Sequence, residues 1–91
     1  MDTAAFEAAL RAEGFADVAT KFVPHAPPTP EHSHPFDVRA LVLEGEVTLI
    51  CAGESRRYGP GEVFAMAQGR AHAEAVGPAG VRYLVGRRAA G

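Results

Sequence analysis

The sequence predicts an all-β fold, a small antiparallel barrel or sandwich with one short helix in front of it. Three observations carry that expectation. From residue 36 onward, short runs of β-branched and aromatic residues are closed by turns rich in glycine and proline, at intervals of roughly six to twelve residues. No helical period interrupts these runs, so nothing supports a parallel βαβ sheet. The 91 residues are also too few to divide into two self-supporting cores, so 1–91 reads as one domain, with 1–16 as an accessory helix and 17–88 as the barrel.

The elements follow in order. Between Thr3 and Glu13 the chain is alanine-rich, and Phe6, Ala9 and Leu10 recur at the spacing of one helical face. Asp2 or Thr3 can cap this helix and Gly14 can end it in a left-handed turn. Its apolar face is thin, so it is expected to lie against the outside of a sheet or a partner subunit. Val18, Thr20 and Phe22 then alternate with Ala19, Lys21 and Val23, which is a strand signal. Pro24, Pro27, Pro28, Pro30 and Pro35 follow, and because proline cannot donate to a central ladder they mark a stiff loop, held in place rather than floppy.

Beyond the loop, Phe36 to Leu43 is expected to turn at Glu44-Gly45 and run back as Glu46 to Cys51, forming a hairpin. Ala52-Gly53-Glu54 and Gly59-Pro60-Gly61 are the next turns, with Glu62 to Ala67 as the following strand. Gln68-Gly69-Arg70 leads to a strand near Ala71 to Val76. The turn Gly77-Pro78-Ala79-Gly80 then precedes Val81 to Val85. Such a count, roughly six or seven short strands, is that of a sandwich or barrel.

Composition narrows the function. With 47% hydrophobic and 22% charged residues the chain lies in the ordinary globular range. Net charge is −2 and the arginines are scattered, so no basic stripe is available to a phosphate backbone and nucleic acid is not an expected partner. The longest aliphatic stretch, around Ala40 to Leu43, is far below the ~20 residues of a spanning helix. An acidic amino terminus and the single cysteine, Cys51, place the expected location in the cytoplasm. A domain this small exposes much of its surface, so a bound metal or a homodimer partner is an expected source of stability.

Histidine is the most informative residue type here. His32 and His34 are two apart, so on an extended backbone both side chains face the same way, as a strand offers two ligands to one ion. His72 is far away in sequence but within reach in a barrel. Glu74 shares strand parity with His72, so it should also face the interior. There it needs a metal, a water, Arg39 or Arg82 as partner, unless the strand twists it out to solvent. His25 is either a surface residue or a further ligand swung in from the loop. Phe36, Phe64, Met66 and Tyr83 are expected to line the cavity or pack the sheets, and Cys51 to be a small buried hydrophobe. Arg56-Arg57 and Arg87-Arg88 read as solvated edges that discourage strand addition.

The stretch His32-Ser33-His34-Pro35-Phe36-Asp37-Val38, followed by Leu41-Val42-Leu43-Glu44-Gly45-Glu46-Val47, resembles the first motif of the cupin family. Gly61-Glu62-Val63 followed by Gly69-Arg70-Ala71-His72 resembles the second. The resemblance spans roughly residues 32 to 76 and implies the cupin barrel, a double-stranded jelly roll. It also implies that His32, His34 and His72 ligate a divalent transition metal inside it, with zinc, iron, nickel, manganese and copper all open. Three positions depart from the family pattern. Val38 stands where a ligand glutamate is usual, Ala67 where a proline is, and Val76 where an asparagine is. Asp37, next to the vacant position, should point outward by strand alternation. A three-histidine set without the glutamate is similar to that of thiol dioxygenase cupins. The expected function is therefore a metal-binding cupin, either an enzyme of the dioxygenase or isomerase kind acting on a small molecule in the barrel, or a non-catalytic module that binds or senses one.

Overall fold

The computed structural model describes residues 1–89. Helix α1 (Thr3–Ala12) leads into β1 (Ala16–Val23), β2 (Phe36–Cys51), β3 (Glu54–Tyr58), β4 (Val63–Met66) and β5 (Ala73–Ala89). All strand pairings are antiparallel: β1 lies on β5, β5 on β2, and β2 carries both β3 and β4 on its other side. This is the expected all-β barrel with a short N-terminal helix.

The long strands β2 and β5 are its spine, and here the structure corrects the sequence reading. Glu44-Gly45 does not reverse the chain, and neither does Gly77-Pro78-Ala79-Gly80. The ladder between β2 and β5 runs from Phe36 opposite Ala89 to Ile50 opposite Ala73, with its register shifting only around Val42 to Val47. Gly45 faces Val81 and Val47 faces Val76, so the four residues Gly77 to Gly80 bulge out across from Glu46. Bulges bend and twist a strand without ending it. Both glycines serve that bend. Gly45 has φ +74°, and a Cβ there would stand 1.8 Å from the Gly80 carbonyl oxygen. A glycine that permits a tight turn is locally the same as one that permits this close approach, which is why the sequence suggested a hairpin.

The two halves of β2 consequently have different neighbours, Val38 to Leu41 beside β4 and Val47 to Cys51 beside β3. The strand segments expected from sequence are present, but four of them join into two continuous strands. Ala52-Gly53 does reverse the chain, with φ of 51° and 79°, the two positive values of a two-residue hairpin loop. Arg56 and Arg57 lie exposed on the β3 edge, where charge is useful against strand addition.

Side-chain alternation divides the residues between two faces. Ala40, Val42, Val47, Leu49, Phe64, Met66, Val76, Val81 and Val85 form the inner core, contributed by both halves of the bent strands. Leu41 and Leu84, opposite one another in the ladder, are buried on the other face with Leu10 and Phe15. Asp2 makes the helix cap, its carboxylate accepting from the Ala5 N–H at 2.9 Å, and Leu10 is its one fully buried residue. Burying that leucine contributes roughly 1.5–3 kcal/mol, enough to dock a helix too short to persist alone. Gly86 makes room for it: a Cβ there would lie 3.2 Å from Leu10 Cδ1 and from Phe15 Cβ. Arg88 fastens the corner, donating to Asp37 Oδ2 at 2.9 Å and to the Glu13 carbonyl at 3.0 Å, over the ring of Phe15. Of the expected solvated Arg87-Arg88 edge, the solvation holds, since both are exposed, but the edge does not, because β5 is a central strand and its two faces employ the arginines differently.

Candidate metal centre

The proline-rich segment supplies two of the three histidines, and β5 holds that segment down. Ala26 and Val76 exchange backbone hydrogen bonds of 3.3 and 3.0 Å, and the Thr29 N–H donates to the Glu74 carbonyl at 3.0 Å. His32 and His72 then exchange two bonds of 2.8 Å. Prolines prevent a full ladder, yet these bridges make residues 26–32 an interrupted strand, the stiff and anchored loop the composition predicts.

Residues directly opposite in an antiparallel pair present their side chains to the same face. His32 and His72 are such a pair, and His34, two residues on, shares the face of His32. Ring centroids lie 4.5 Å apart for His32 and His72, 5.1 Å for His32 and His34, and 5.3 Å for His34 and His72. One ligand atom from each of the three lies within 4.8 Å of the others. The strands thus bring together the three histidines picked out in the sequence.

Their hydrogen bonds orient them. His32 Nδ1 lies 2.8 Å from the Pro30 carbonyl oxygen and His72 Nδ1 lies 2.9 Å from that of Arg70. A carbonyl only accepts, so each Nδ1 carries a proton, and Nε2 is the nitrogen that each ring has to offer a metal. His34 stacks on Phe36 at 5.1 Å with the rings 13° from parallel. Burial first, then the neighbouring charges of His72 and His32, hold its pKa below the ordinary histidine value, which favours the neutral form that ligates metal. His72 is only 2% exposed. Three imidazoles, two of them with the second nitrogen fixed by a backbone acceptor, are a donor set that fits a transition metal.

His34 and His72 open onto a cavity of ≈ 210 Å³ inside the barrel. Phe36, Phe64, Met66 and Tyr83 line it, as their positions suggested. Val38 also faces it, so the side chain at the usual glutamate position points inward and brings no donor. Asp37 faces out, accepting from the Gln68 N–H at 2.9 Å. Glu74 lines the cavity as its parity required, but stands outside the three-histidine group, and neither of its suggested arginine partners reaches it. Arg39 pairs with Glu13 at 2.7 Å and Arg82 approaches Glu44 at 3.7 Å. His25 is no further ligand either: it is exposed, with Nδ1 2.9 Å from the Val76 carbonyl. Cys51 is partly buried and packs against the core.

Two lining residues were missed in the sequence, Lys21 and Arg87. Alternation could have found them. Val81, Tyr83, Val85 and Arg87 share one parity on β5, as do Lys21 and Val23 on β1, and all six face the cavity. Burial, reinforced by the charge of Glu74, raises the Tyr83 pKa, so its phenol keeps its proton at neutral pH.

An antiparallel barrel with a cavity and three convergent imidazoles, two from the proline-rich segment and one just ahead of β5, defines a class, a β-barrel protein with a histidine cluster able to hold a metal ion. The chain belongs to the cupin-domain family, whose model matches residues 19–85. Solved structures agree. The cupin domain of Schizosaccharomyces pombe Cnp3 superposes with a TM-score of 0.70 at 16% identity over 85% of this chain and 57% of that one. A cupin superfamily protein of Desulfitobacterium hafniense gives 0.67 at 17% identity over 82% and 71%. The DMSP lyase DddQ of Ruegeria pomeroyi gives 0.64 at 28% identity over 76% of this chain and 36% of that one. The chain thus spans little more than half of the Cnp3 cupin domain and about a third of the lyase. A search of curated proteins by sequence found no match. Among the described residues no helix is long and apolar enough to cross a membrane.

Proposed function

We propose that His32, His34 and His72 hold one divalent transition metal and that the chain is a metal-dependent enzyme of the dioxygenase or isomerase kind, acting on a small molecule in the barrel cavity. The observation that carries this reading is the pair of Nδ1–H donors on His32 and His72 turned to backbone carbonyls, which leaves Nε2 of each ring to offer a metal, in a cluster with His34 beside a cavity. Zinc, iron, nickel and copper all suit an all-imidazole set. When bound, the ion supplies a Lewis-acidic position with coordination sites left open, because the protein offers three ligands.

The chain's own residues do the remainder. Val38 keeps the donor set neutral. The apolar walls around Val38, Leu49 and Val85 exclude water from the reacting region. Tyr83, protonated, can donate a hydrogen bond from its Oη to an oxygen of the bound molecule. That one of the similar structures is a lyase supports a catalytic use of such a barrel. Metal analysis of the purified protein before and after reconstitution tests the proposal. About one equivalent is expected, and less than about a tenth after reconstitution refutes it.

Val38 also favours a second reading, in which the anionic ligand is gone and the barrel binds a small molecule without transforming it. A ligand that co-purifies with the protein and binds His72→Ala as tightly as the parent would select this alternative.

A further inference from the structure

The cavity's charges are unevenly matched. Three ionic side chains line it besides the histidines, Lys21, Arg87 and Glu74. Among the described residues none of the three takes part in an ion pair, as Arg56 and Arg70 do not either, and Lys21 and Arg87 are exposed, so they border the cavity where it meets solvent. Two cations against one carboxylate make the lining net positive, and a bound divalent metal adds to it. Arg87 is also placed. Its guanidinium lies 4.6 Å over the ring of Phe36, and that ring stacks on His34, so the cation sits one aromatic ring from the histidine cluster. A guanidinium held by a ring presents its edge as a two-pronged donor for a planar anion.

Size and wall chemistry narrow the anion. A volume of ≈ 210 Å³ is below the range usual for drug-sized ligands, so the occupant is small. Beyond the histidines and the cations, and apart from Glu74 and the Tyr83 hydroxyl, the lining is hydrocarbon, which suits a short carbon chain and not a hydrated dianion.

We infer that the cavity selects a small organic carboxylate, whose carboxylate is received by Arg87 and Lys21 while the rest of the molecule extends toward the histidine cluster. This rests on the reading of the cavity as the substrate site, but not on metal occupancy, since neither cation is a proposed ligand. Glu74 opposes a second negative charge, so dicarboxylates and phosphate are poor ligands. Arg88, next in the chain but on the outer face and already paired with Asp37, takes no part.

Butyrate, its near-isosteric neutral analogue butyramide and inorganic phosphate are the probes, followed by chemical-shift titration of the full-length protein, zinc-loaded and chelated. Butyrate should bind about tenfold more tightly than butyramide, as a charge-assisted pair requires, and phosphate more weakly than butyrate. Arg87→Gln should abolish the preference, Arg87→Lys keep part of it, and Arg88→Gln leave it intact. Equal binding of acid and amide, or a preference that Arg87→Gln leaves unchanged or Arg88→Gln removes equally, overturns the inference. A chain that takes up no metal yet prefers butyrate through Arg87 refutes the metal reading alone. Metal uptake without that preference refutes this one alone.

Discussion

Asp37 and Arg88 face each other across the ladder on the outer surface of the barrel, while their neighbours Val38 and Arg87 face each other on the inside. Outside, at the corner below the helix, the charges are paired: Arg88 binds Asp37 and the Glu13 carbonyl, Arg39 binds Glu13, and Leu41 and Leu84 are buried on the same face. Inside, Glu74, Lys21 and Arg87 line a cavity with no ion-pair partner among the described residues, beside three imidazoles that face one another. Paired charges at the helix corner and unpaired, solvent-reached ones around the cavity, alternating along the same strands, separate a part that holds the fold from a part open to a ligand. Stability should respond mainly to the first and binding mainly to the second.

The bend serves both faces at once, so breaking it should defeat the distinction. In Gly45→Ala the new methyl would meet the Gly80 carbonyl at a backbone angle only glycine adopts freely, and no flexible side chain can yield. A loss above about 4 kcal/mol, most of the stability of a small domain, is expected, read as failure to reach a cooperative thermal transition. Leu10→Ala should sharpen the contrast. It should cost about 2–5 kcal/mol in urea unfolding, with zinc uptake by the folded protein unchanged, since the lost contacts lie behind the sheet. A fall in both would show the faces to be coupled.

His72→Ala is the converse. Outer contacts to metal ligands alone are worth about 10–100-fold in affinity, so losing a ligand should weaken zinc binding by more than about a hundredfold in a competition titration. Its effect on the metal-free melting temperature should be small beside that of Leu10→Ala. In the parent protein, chelation from a zinc concentration about 100 times Kd should remove about 2.7 kcal/mol, a shift His72→Ala should no longer show.

The smallest effect belongs to the outer ion pair. The Gln68 N–H first, then Arg88, holds the Asp37 carboxyl below the ordinary value of 3.8. A carboxylate with a depressed folded pKa adds stability above its unfolded pKa and loses it as pH falls through the folded one. The stability difference between the parent and Asp37→Asn should therefore be constant above about pH 5 and shrink below 3.8, with zinc uptake at neutral pH the same in both. A difference that persists in acid would place the stabilisation elsewhere.

Much of this division between faces is legible in the amino-acid sequence. Two-residue alternation puts His32 and His34 on one face, turns Asp37 out and places Glu74 inside, because side-chain direction along a strand is a local property of the pleat. The family motifs add His72, and Asp2 and Gly14 bound the helix. Arg87 and Lys21 obey the same alternation and are exposed, as charged strand residues ordinarily are, so nothing local told that this stretch of surface borders the cavity.

Other features belong to long-range pairing. Whether Gly45 turns the chain or bends it depends on Gly80, which the ladder brings against it from far along the sequence. The partners of Arg39, Arg82 and Arg88, and the absence of one for Glu74 among the described residues, likewise depend on which strands become neighbours and in what register. The sequence determined which way each side chain points, since that repeats every two residues. The tertiary structure decided what each one meets, because hydrogen-bonded register joins segments whose local sequences carry no information about one another.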